Sequence, residues 1–238
     1  MLQYTPAWPH GQVKEIFPNI FFVTGTNKTH HEGIDFQFSR NMIIVRNMQE
    51  LTLINTVRLK EKGLRQLESL GKIVNIVRIG AFHGRDDAFY LDQYNAKLWA
   101  LQGMLHENGK TTDVELIEGG TMPFPNCSLF KFNLSDQIEG ILHIDIGGGI
   151  LISCDSIQNW TKVDEYFSYE CGERFLKHGL IKPTNISHIW KQACNPLGED
   201  FIKLKSLNFR HLLSAHGEPL KHEAYEKLAQ TIAVQFEI

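Results

Sequence analysis

The sequence contains few cysteines, no Cys-x-x-Cys pair and no long apolar run. The four cysteines are scattered along the chain, at Cys127, Cys154, Cys171 and Cys194. Such spacing is typical neither of a zinc knuckle nor of a disulfide framework, so we expect reduced thiols that are mostly packed. No stretch of about 18 apolar residues occurs, so no membrane span is expected. The N-terminal segment also lacks the basic start and apolar run of a secretory signal, and we expect a cytoplasmic protein with no membrane partner.

Charge of one sign is also scarce. The formal net charge is -3 over 238 residues, and no basic run occurs. Proteins that bind nucleic acids concentrate Lys and Arg on one surface, so we expect no nucleic-acid partner. The 42% hydrophobic and 21% charged residues are ordinary for a globular protein. The length suits one large domain, and we predict a single domain over 1–238. The sequence specifies no oligomeric state.

Short apolar runs alternate with amphipathic stretches along the chain. The runs predict strands at 20–23, 42–45, 51–54, 73–79, 114–117, 129–132, 141–146 and 150–153. Apolar periodicity predicts helices at 59–70, 163–177, 196–205 and 221–235. The three glycines at 147–149 are followed by no Lys-Ser/Thr pair, so they predict a tight hairpin rather than a phosphate loop. The order of these elements indicates a layered α/β fold.

Three polar loops each follow an apolar strand. They cover residues 81–88, 153–156 and 214–219, and they carry His83, Asp155 and His216. Ligand sites in layered α/β proteins collect at strand ends, where loops present side chains from distant segments. Imidazole and carboxylate groups together are a donor set that zinc, iron and manganese accept. Cys154, beside Asp155, is interpreted as a packed thiol rather than as a nucleophile.

These residues resemble the motifs of the metallo-β-lactamase superfamily. The first motif of that family is HxHxDH after a buried strand, and this chain has HGRDDA at 83–88. His83 and Asp87 match, whereas Arg85 and Ala88 stand where the family has its second and third histidines. The resemblance covers nearly the whole chain and implies an α/β fold, a four-layer αββα metallo-β-lactamase-like sandwich.

The later motifs of the family have counterparts here too. Its Gly-Asp motif, whose Asp bridges two metals, looks like Cys154-Asp155, and its closing Gly-His-Gly motif looks like 215–217 with His216. The family also has a histidine in a turn before the strand pair that ends at the bridging Asp, and the register places Asp136 there. The resemblance therefore implies His83, Asp87, Asp155 and His216 as the metal ligands if a metal binds. Asp155 or His83 would then move the proton.

Arg85 counts against a complete metal site. A guanidinium cannot ligate a cation and keeps its positive charge, so it would repel one. We expect Arg85 to enter the pocket and to contact at least one of Asp87, Asp136 and Asp155, because unpaired carboxylates there would repel one another. Asp86 is the alternative inward carboxylate, in which case Asp87 would be an N-cap of the following helix.

Three hypotheses about function follow from these residues. The first is a protein of hydrolase ancestry with a depleted metal site, no tightly bound cofactor and no assignable substrate. The second is a hydrolase with zinc, iron or manganese at one site, acting on a small ester, thioester or amide. The third is a non-catalytic protein that binds a small-molecule ligand or a partner. The replacement of two family histidines by Arg85 and Ala88 favours loss of metal chemistry.

Overall fold

Two β-sheets pack face to face in the computed structural model, which describes residues 4–31 and 33–238. The first sheet has seven strands in sequential order, antiparallel from β1 to β4 and parallel from β4 to β7. Its strands are β1 (Lys14–Phe17), β2 (Ile20–His31), β3 (Ile34–Asn47), β4 (Glu50–Ile54), β5 (Lys72–Arg78), β6 (Lys97–Leu101) and β7 (Val114–Leu116).

The second sheet has four strands, in the order β11-β10-β9-β8. They are β8 (Cys127–Lys131), β9 (Gly140–Ile144), β10 (Ile150–Ser153) and β11 (His211–Ser214). Strands β8, β9 and β10 are antiparallel, and β10 pairs with β11 in parallel. The antiparallel pair of β9 and β10, with Ile150 opposite Ile144, confirms the hairpin predicted at the three glycines.

Six α-helices complete the structure. They are α1 (Glu61–Leu70), α2 (Asp87–Tyr94), α3 (Tyr169–Lys177), α4 (His188–Cys194), α5 (Gly198–Lys205) and α6 (Ala224–Phe236). A short 3-10 turn also occupies Glu107–Gly109. Among the described residues, no helix is long and apolar enough to cross a membrane.

The buried side chains form layers. Alternate residues of β3, β5, β9 and β10 point between the two sheets, where Ile43, Val77, Leu142 and Ile152 lie in one apolar cluster. The outer face of the first sheet is covered by α1 and α2, and the outer face of the second sheet is covered by α4, α5 and α6. This alternation of faces follows from the period of two along a strand. The predicted four-layer αββα sandwich is confirmed.

Some elements differ from the sequence prediction for local reasons. Helix α2 is buried all round at residues 87–91, so it lacks the periodicity of an amphipathic helix. Helix α4 has only 7 residues, too few to show a period. Helix α3 begins at Tyr169 rather than at 163, because the Ser168 side chain accepts a hydrogen bond from the Cys171 N–H and caps the helix there. The sequence analysis also missed strand β1, in which two of the 4 residues are charged, and strand β6, whose apolar run has 4 residues.

Asn41 connects the first sheet to the loop that follows β11. Its side-chain amide is completely buried and donates hydrogen bonds to the carbonyl oxygens of Ser214 (3.0 Å) and Gly217 (2.7 Å). Its backbone N–H donates to the carbonyl oxygen of Ala215 at 2.8 Å. Gly217 has a φ of 90°, and an added Cβ would lie 2.0 Å from the backbone of Asn159. Strand β3 and a glycine turn therefore fix the position of the loop that carries His216.

We expect Asn41→Ala to lower the free energy of unfolding by about 2–4 kcal/mol, because two buried carbonyl groups lose their donor. Urea denaturation measures this. The matched control is Asn47→Ala at the exposed end of the same strand, expected to change stability by less than about 0.5 kcal/mol. Equal stability of the two variants would show that the Asn41 bonds do not hold the loop.

Candidate functional site

Three of the predicted residues meet where strands of both sheets end. His83 follows β5, Asp155 follows β10, and His216 follows β11. The Nε2 atoms of His83 and His216 are 3.1 Å apart, and His216 Nε2 lies 3.0 Å from Asp155 Oδ1. His83 Nε2 lies 3.4 Å from Asp155 Oδ2. These polar atoms come from loops separated by up to 133 residues in sequence and form one buried cluster.

Asp87 lies beside this cluster rather than in contact with it. It is the first residue of α2 and is buried, and its Oδ1 accepts a hydrogen bond from the Thr56 hydroxyl at 2.6 Å. Its Oδ2 has no hydrogen-bond partner among the described residues. Burial raises the pKa of Asp87 to about 6, while the hydrogen bond from Thr56 and the charges of Arg78 and Arg40 act against that rise. Asp87 is therefore linked to the cluster through the charge of Arg40, which acts on both Asp87 and His83.

The structure places Asp86 and Asp136 away from the cluster. Asp86 accepts hydrogen bonds from the Thr5 hydroxyl and from the backbone N–H of Arg58, so it holds the N-terminal segment in place. Asp136 is exposed, and its backbone N–H donates to the carbonyl oxygen of Cys194. The proposed register of the turn before β9 therefore does not bring Asp136 to the site. Of the charges at the cluster, that of Arg40 acts on Asp87.

The predicted contact of Arg85 is not found. Arg85 is half-buried and forms no hydrogen bond or ion pair with any residue in the described part of the chain. The guanidinium at the cluster belongs instead to Arg40, in the middle of β3, which is 5% exposed. Its Nη2 lies 3.1 Å from His83 Nδ1. We expected Arg85 of the first motif to supply the positive charge, but it comes from Arg40 of β3, which is 43 residues before His83.

The hydrogen bond from Arg40 determines which nitrogen of His83 carries its proton. A guanidinium has only donors, so His83 Nδ1 must accept, and the proton of the neutral ring is on Nε2. His216 has the opposite environment, since its Nδ1 lies 3.3 Å from the carbonyl oxygen of Ser39 and donates to it. His83 therefore directs its N–H at Asp155, whereas His216 faces an accepting oxygen at both ring nitrogens, because its Nε2 lies 3.0 Å from Asp155 Oδ1.

The charges of the cluster are set by burial and by close partners. Burial lowers the pKa of His83 to about 4, and the Arg40 charge adds to this, although Asp155 opposes it. Burial alone would raise the pKa of Asp155, but interaction with His83 and the hydrogen bond with His216 outweigh it and hold this pKa well below its usual range. At neutral pH, His83 is therefore neutral and Asp155 is ionised.

Glu139 is a second buried carboxyl group near Asp155, and the sequence analysis missed it. It lies just before β9 and is 1% exposed. One oxygen accepts the backbone N–H of Ser156 at 2.6 Å, and the other accepts the indole N–H of Trp190 at 2.8 Å. Burial, with the negative charge of Asp155, raises the pKa of Glu139 to about 8. The only sequence signal for it was a carboxylate directly before a buried strand.

Cys154 is packed, as its interpretation from the sequence states. Its side chain is buried, and its Sγ donates to Asp155 Oδ2 at 3.4 Å. Burial, followed by the charge of Asp155, raises the pKa of the thiol well above its ordinary value. A protonated buried thiol is a poor nucleophile and a poor metal ligand.

A pocket of about 290 Å³ opens above the cluster. Asp155 and His216 form part of its wall, and aromatic and aliphatic side chains form most of the rest. The His216 ring packs 4.9 Å from Trp160 and 5.7 Å from Phe38, centroid to centroid. The pocket lining is Phe36, Phe38, Phe82, Asp155, Gln158, Trp160, Phe175, Leu180, Ser187, Ile189, Trp190, Ala193 and His216. The arrangement is that of a small apolar binding site with a few polar groups.

The spacing of the donor atoms alone would suit a metal. Tetrahedral zinc with bonds of about 2.0–2.2 Å to N and O places its ligands roughly 3.3 Å apart, and the His83, Asp155 and His216 atoms are 3.0–3.4 Å apart. Cys154, His83 and Asp155 also lie within 4.8 Å of one another, but the protonated thiol favours the set with His216.

The hydrogen bonding of His83 does not fit a metal ligand. A metal-bound histidine donates the N–H of its other ring nitrogen to an acceptor. The other nitrogen of His83 faces Arg40, which has no acceptor. If His83 bound a cation through Nε2, its Nδ1–H would point at the N–H of Arg40, so two donors would face each other. The positive charge of Arg40 would also lie directly behind the metal-bound ring. The residues present therefore do not fit a tightly bound metal.

Comparison with solved structures shows the fold of this chain. The DIM-1 metallo-β-lactamase exposed to ceftazidime superposes with a TM-score of 0.62 at 15% identity, covering 98% of this chain and 99% of that one. The FIM-1 metallo-β-lactamase from Pseudomonas aeruginosa in its mono-zinc form gives a TM-score of 0.61 at 16% identity, covering 96% and 97%. A mutant flavo di-iron protein from Thermotoga maritima gives 0.62 at 16% identity, covering 93% of this chain and 62% of that one.

The sequence comparisons find no relative. No family model matches the chain, and no curated protein matches it. At 15–16% identity, the structural likeness shows the fold alone. This chain has a metallo-β-lactamase-like fold.

We expect the stability of the protein to depend on pH through Glu139. Because its pKa is raised to about 8 from 4.5, the folded state holds a proton that the unfolded state releases. The contribution of this proton to the stability of the folded state is complete below pH 4.5 and is lost as the pH rises towards 8. The free energy of unfolding should fall by up to about 1.4 kcal/mol per pH unit in this window through this group.

Glu139→Gln should remove that pH dependence, since a carboxamide does not titrate. Urea denaturation at several pH values between 5 and 8 measures the slope, and a constant offset from the altered hydrogen bonds does not affect it. The matched control is Glu173→Gln on the exposed face of α3, which should keep the wild-type slope. A Glu139→Gln slope equal to that of the wild type would refute the assignment.

Proposed function

We propose that this protein is of hydrolase ancestry, that its metal site is depleted, and that its pocket binds a small molecule without metal-assisted hydrolysis. The observation that carries the proposal is the 3.1 Å contact between Arg40 Nη2 and His83 Nδ1. The ancestry is supported by the metallo-β-lactamase-like fold and by the strand-end loops that carry His83, Asp155 and His216.

Arg40 takes over part of the electrostatic role of a metal. Carboxylates in an enclosed site need a positive charge nearby, or one of them must take up a proton. The charge of Arg40 acts on Asp87 and on His83, and Arg78 acts on Asp87 more strongly. Glu139 takes up a proton at neutral pH, as its raised pKa requires. The cluster therefore balances its charge with its own side chains.

The first motif supports the same conclusion. Arg85 and Ala88 occupy two positions where the family has histidines, so two nitrogen ligands are absent. The remaining His83 is held in the tautomer whose Nε2 carries a proton. A site with fewer ligands and with one of them wrongly protonated binds divalent metal weakly.

A second candidate function is a hydrolase with one metal ion. The 3.0–3.4 Å spacing of His83, Asp155 and His216 favours it. In that case the metal would supply a Lewis acid for hydrolysis of a small ester, thioester or amide. The two candidates differ in two measurable properties of the purified protein, the tautomer of His83 and the zinc affinity of the site.

We expect Arg40→Gln to raise the zinc affinity by about 10–100-fold, because a glutamine oxygen can accept the Nδ1–H of a metal-bound His83. Arg40→Lys is the matched control, since lysine keeps the charge and also has only donors. Zinc affinity is measured by competition with a chelator, and metal content is measured after purification. Nitrogen NMR of the metal-free protein should show Nε2–H on His83 in the wild type.

Two results would overturn the proposal. One is wild-type protein that retains one equivalent of metal through dialysis against a chelator. The other is His83 in the Nδ1–H form in the wild type, which would show that Arg40 does not control the ring. Either result would support the mononuclear hydrolase.

A further inference from the structure

We infer that the pocket takes a small, uncharged, planar and mainly apolar molecule that carries a carboxamide-like edge, and that Gln158 recognises this edge. The inference deepens the proposed function and rests on it, because it assigns the ligand class of the pocket above the depleted metal site. It is carried by four features of the wall: its aromatic rings, one unpartnered amide, one free hydroxyl proton and the lack of an available charge.

The aromatic wall favours a planar ligand. The indole N–H of Trp160 donates to the Ser39 hydroxyl at 2.8 Å, and that of Trp190 donates to Glu139 at 2.8 Å. Both polar edges are therefore used inside the protein, and the rings offer apolar surface to the pocket. Four phenylalanines complete the aromatic lining, at Phe36, Phe38, Phe82 and Phe175. Rings of this kind pack against a flat apolar molecule by stacking and edge contacts.

Gln158 is the polar group that the fold leaves without a partner. It lines the pocket and is 8% exposed. Its backbone pairs with Asn185, whereas its side-chain amide makes no hydrogen bond within residues 4–31 and 33–238. Its amide atoms are not among the completely buried, unpaired polar atoms of the described structure, so they are accessible from the pocket, where the nitrogen can donate and the oxygen can accept. A ligand with a neighbouring acceptor and donor, as in a carboxamide or lactam, would satisfy both.

Ser187 adds one more donor to the same wall. Its Oγ accepts the backbone N–H of Trp190 at 3.1 Å, as the N-cap of α4. The hydroxyl proton is not used in that bond and remains able to donate. Ser187 is 3% exposed and lines the pocket. A ligand carbonyl oxygen could therefore accept from Ser187 or from the Gln158 nitrogen.

No charged group in the pocket wall is available to pair with a charged ligand. Asp155 is the only carboxylate of the lining, and it is already bonded to His216, to Cys154 and, at 3.4 Å, to His83. No Arg or Lys lines the pocket. An ionised ligand would lose its hydration without gaining an ion pair. The pocket therefore favours a neutral molecule over an ammonium or a carboxylate.

The size and the mouth of the pocket set the remaining limits. A volume of about 290 Å³ lies at the small end of ligand pockets, which run from roughly 300 to 1,000 Å³. Phe82 and Ile189 line it and are each 54% exposed, so apolar surface continues at its entrance. A ligand with one or two fused rings would cover that surface while its polar edge reaches Gln158.

Four naphthalene probes of similar shape test the inference: naphthalene-2-carboxamide, naphthalene-2-carboxylate, naphthalen-2-ylmethylamine and 2-methylnaphthalene. Calorimetric titration of the full chain at pH 7 gives the dissociation constants, and the indole N–H signals of Trp160 and Trp190 report whether binding is in the pocket. We expect the carboxamide to bind about tenfold more tightly than each of the other three, since two net hydrogen bonds correspond to about that factor.

Gln158→Leu should remove the preference for the carboxamide over the hydrocarbon while leaving hydrocarbon binding unchanged or tighter. The matched control is Gln102→Leu, at an exposed glutamine outside the pocket, which should keep the preference. Because hydrocarbon binding reports an intact pocket, loss of folding in a variant would be recognised. Equal or tighter binding of the amine or the carboxylate would overturn the inference, as would a preference that survives Gln158→Leu.

The two proposals fail in different ways. If the protein holds metal tightly but prefers the carboxamide through Gln158, the proposed loss of the metal site is wrong and the ligand class stands. If the protein is free of tightly bound metal and shows no carboxamide preference, the ligand class is wrong and the depleted site stands.

Discussion

The site depends on three consecutive buried residues of β3. The carbonyl oxygen of Ser39 accepts from His216, the guanidinium of Arg40 donates to the ring of His83, and the amide of Asn41 holds the loop that carries His216. One strand of the first sheet thus orients both histidines, although they follow strands of different sheets. Because a carbonyl only accepts and a guanidinium only donates, the strand presents opposite hydrogen-bonding groups to the Nδ1 atoms of the two rings. The hydrogen bonding of the cluster is therefore determined by β3 as well as by the loops that carry His83, Asp155 and His216.

The carboxyl groups show how the same environment can produce opposite charges. Glu139 is buried and Asp155 is partly buried, and the charge of Asp155 acts on Glu139. Asp155 contacts two imidazoles and stays ionised, whereas Glu139 bonds an indole and a backbone N–H and holds its proton to about pH 8. A pair of carboxyl groups whose pKa values are pushed apart in this way keeps one negative charge, not two, beside Arg40. The cluster can therefore remain buried without a divalent cation.

Local patterns in the sequence predicted a layered α/β fold and the loops of the site, and the resemblance to the metallo-β-lactamase superfamily implied the four-layer sandwich. The apolar runs at 73–79 and 150–153 show where strands end, and strand ends place His83 and Asp155.

Arg40 and Glu139 could not be found in this way. Arg40 lies within an apolar strand, and its partner is 43 residues away, so no local pattern links them. The register of the turn before β9 placed Asp136 at the site, whereas the carboxyl group that interacts with Asp155 is Glu139, three residues later. Arg85 directly precedes Asp86 and Asp87 in sequence. It follows a turn in which Gly84 has a φ of 104°, and in the described structure it pairs with no acidic side chain.

The pocket and the cluster of His83, Asp155 and His216 share few residues, so the shape of the pocket does not depend on whether the cluster binds a metal. The pocket wall comes mostly from β3, α3 and α4 with Trp160, and it packs in a cluster of its own with Phe167, Phe175 and Leu180. Only Asp155 and His216 belong to both. Arg85 and Ala88, which stand where the family has histidines, do not line the pocket. The apolar site therefore keeps its packing whichever residues occupy these two positions. His216 in turn packs against Trp160 and Phe38, and this packing gives it a structural reason to remain even where no metal is held.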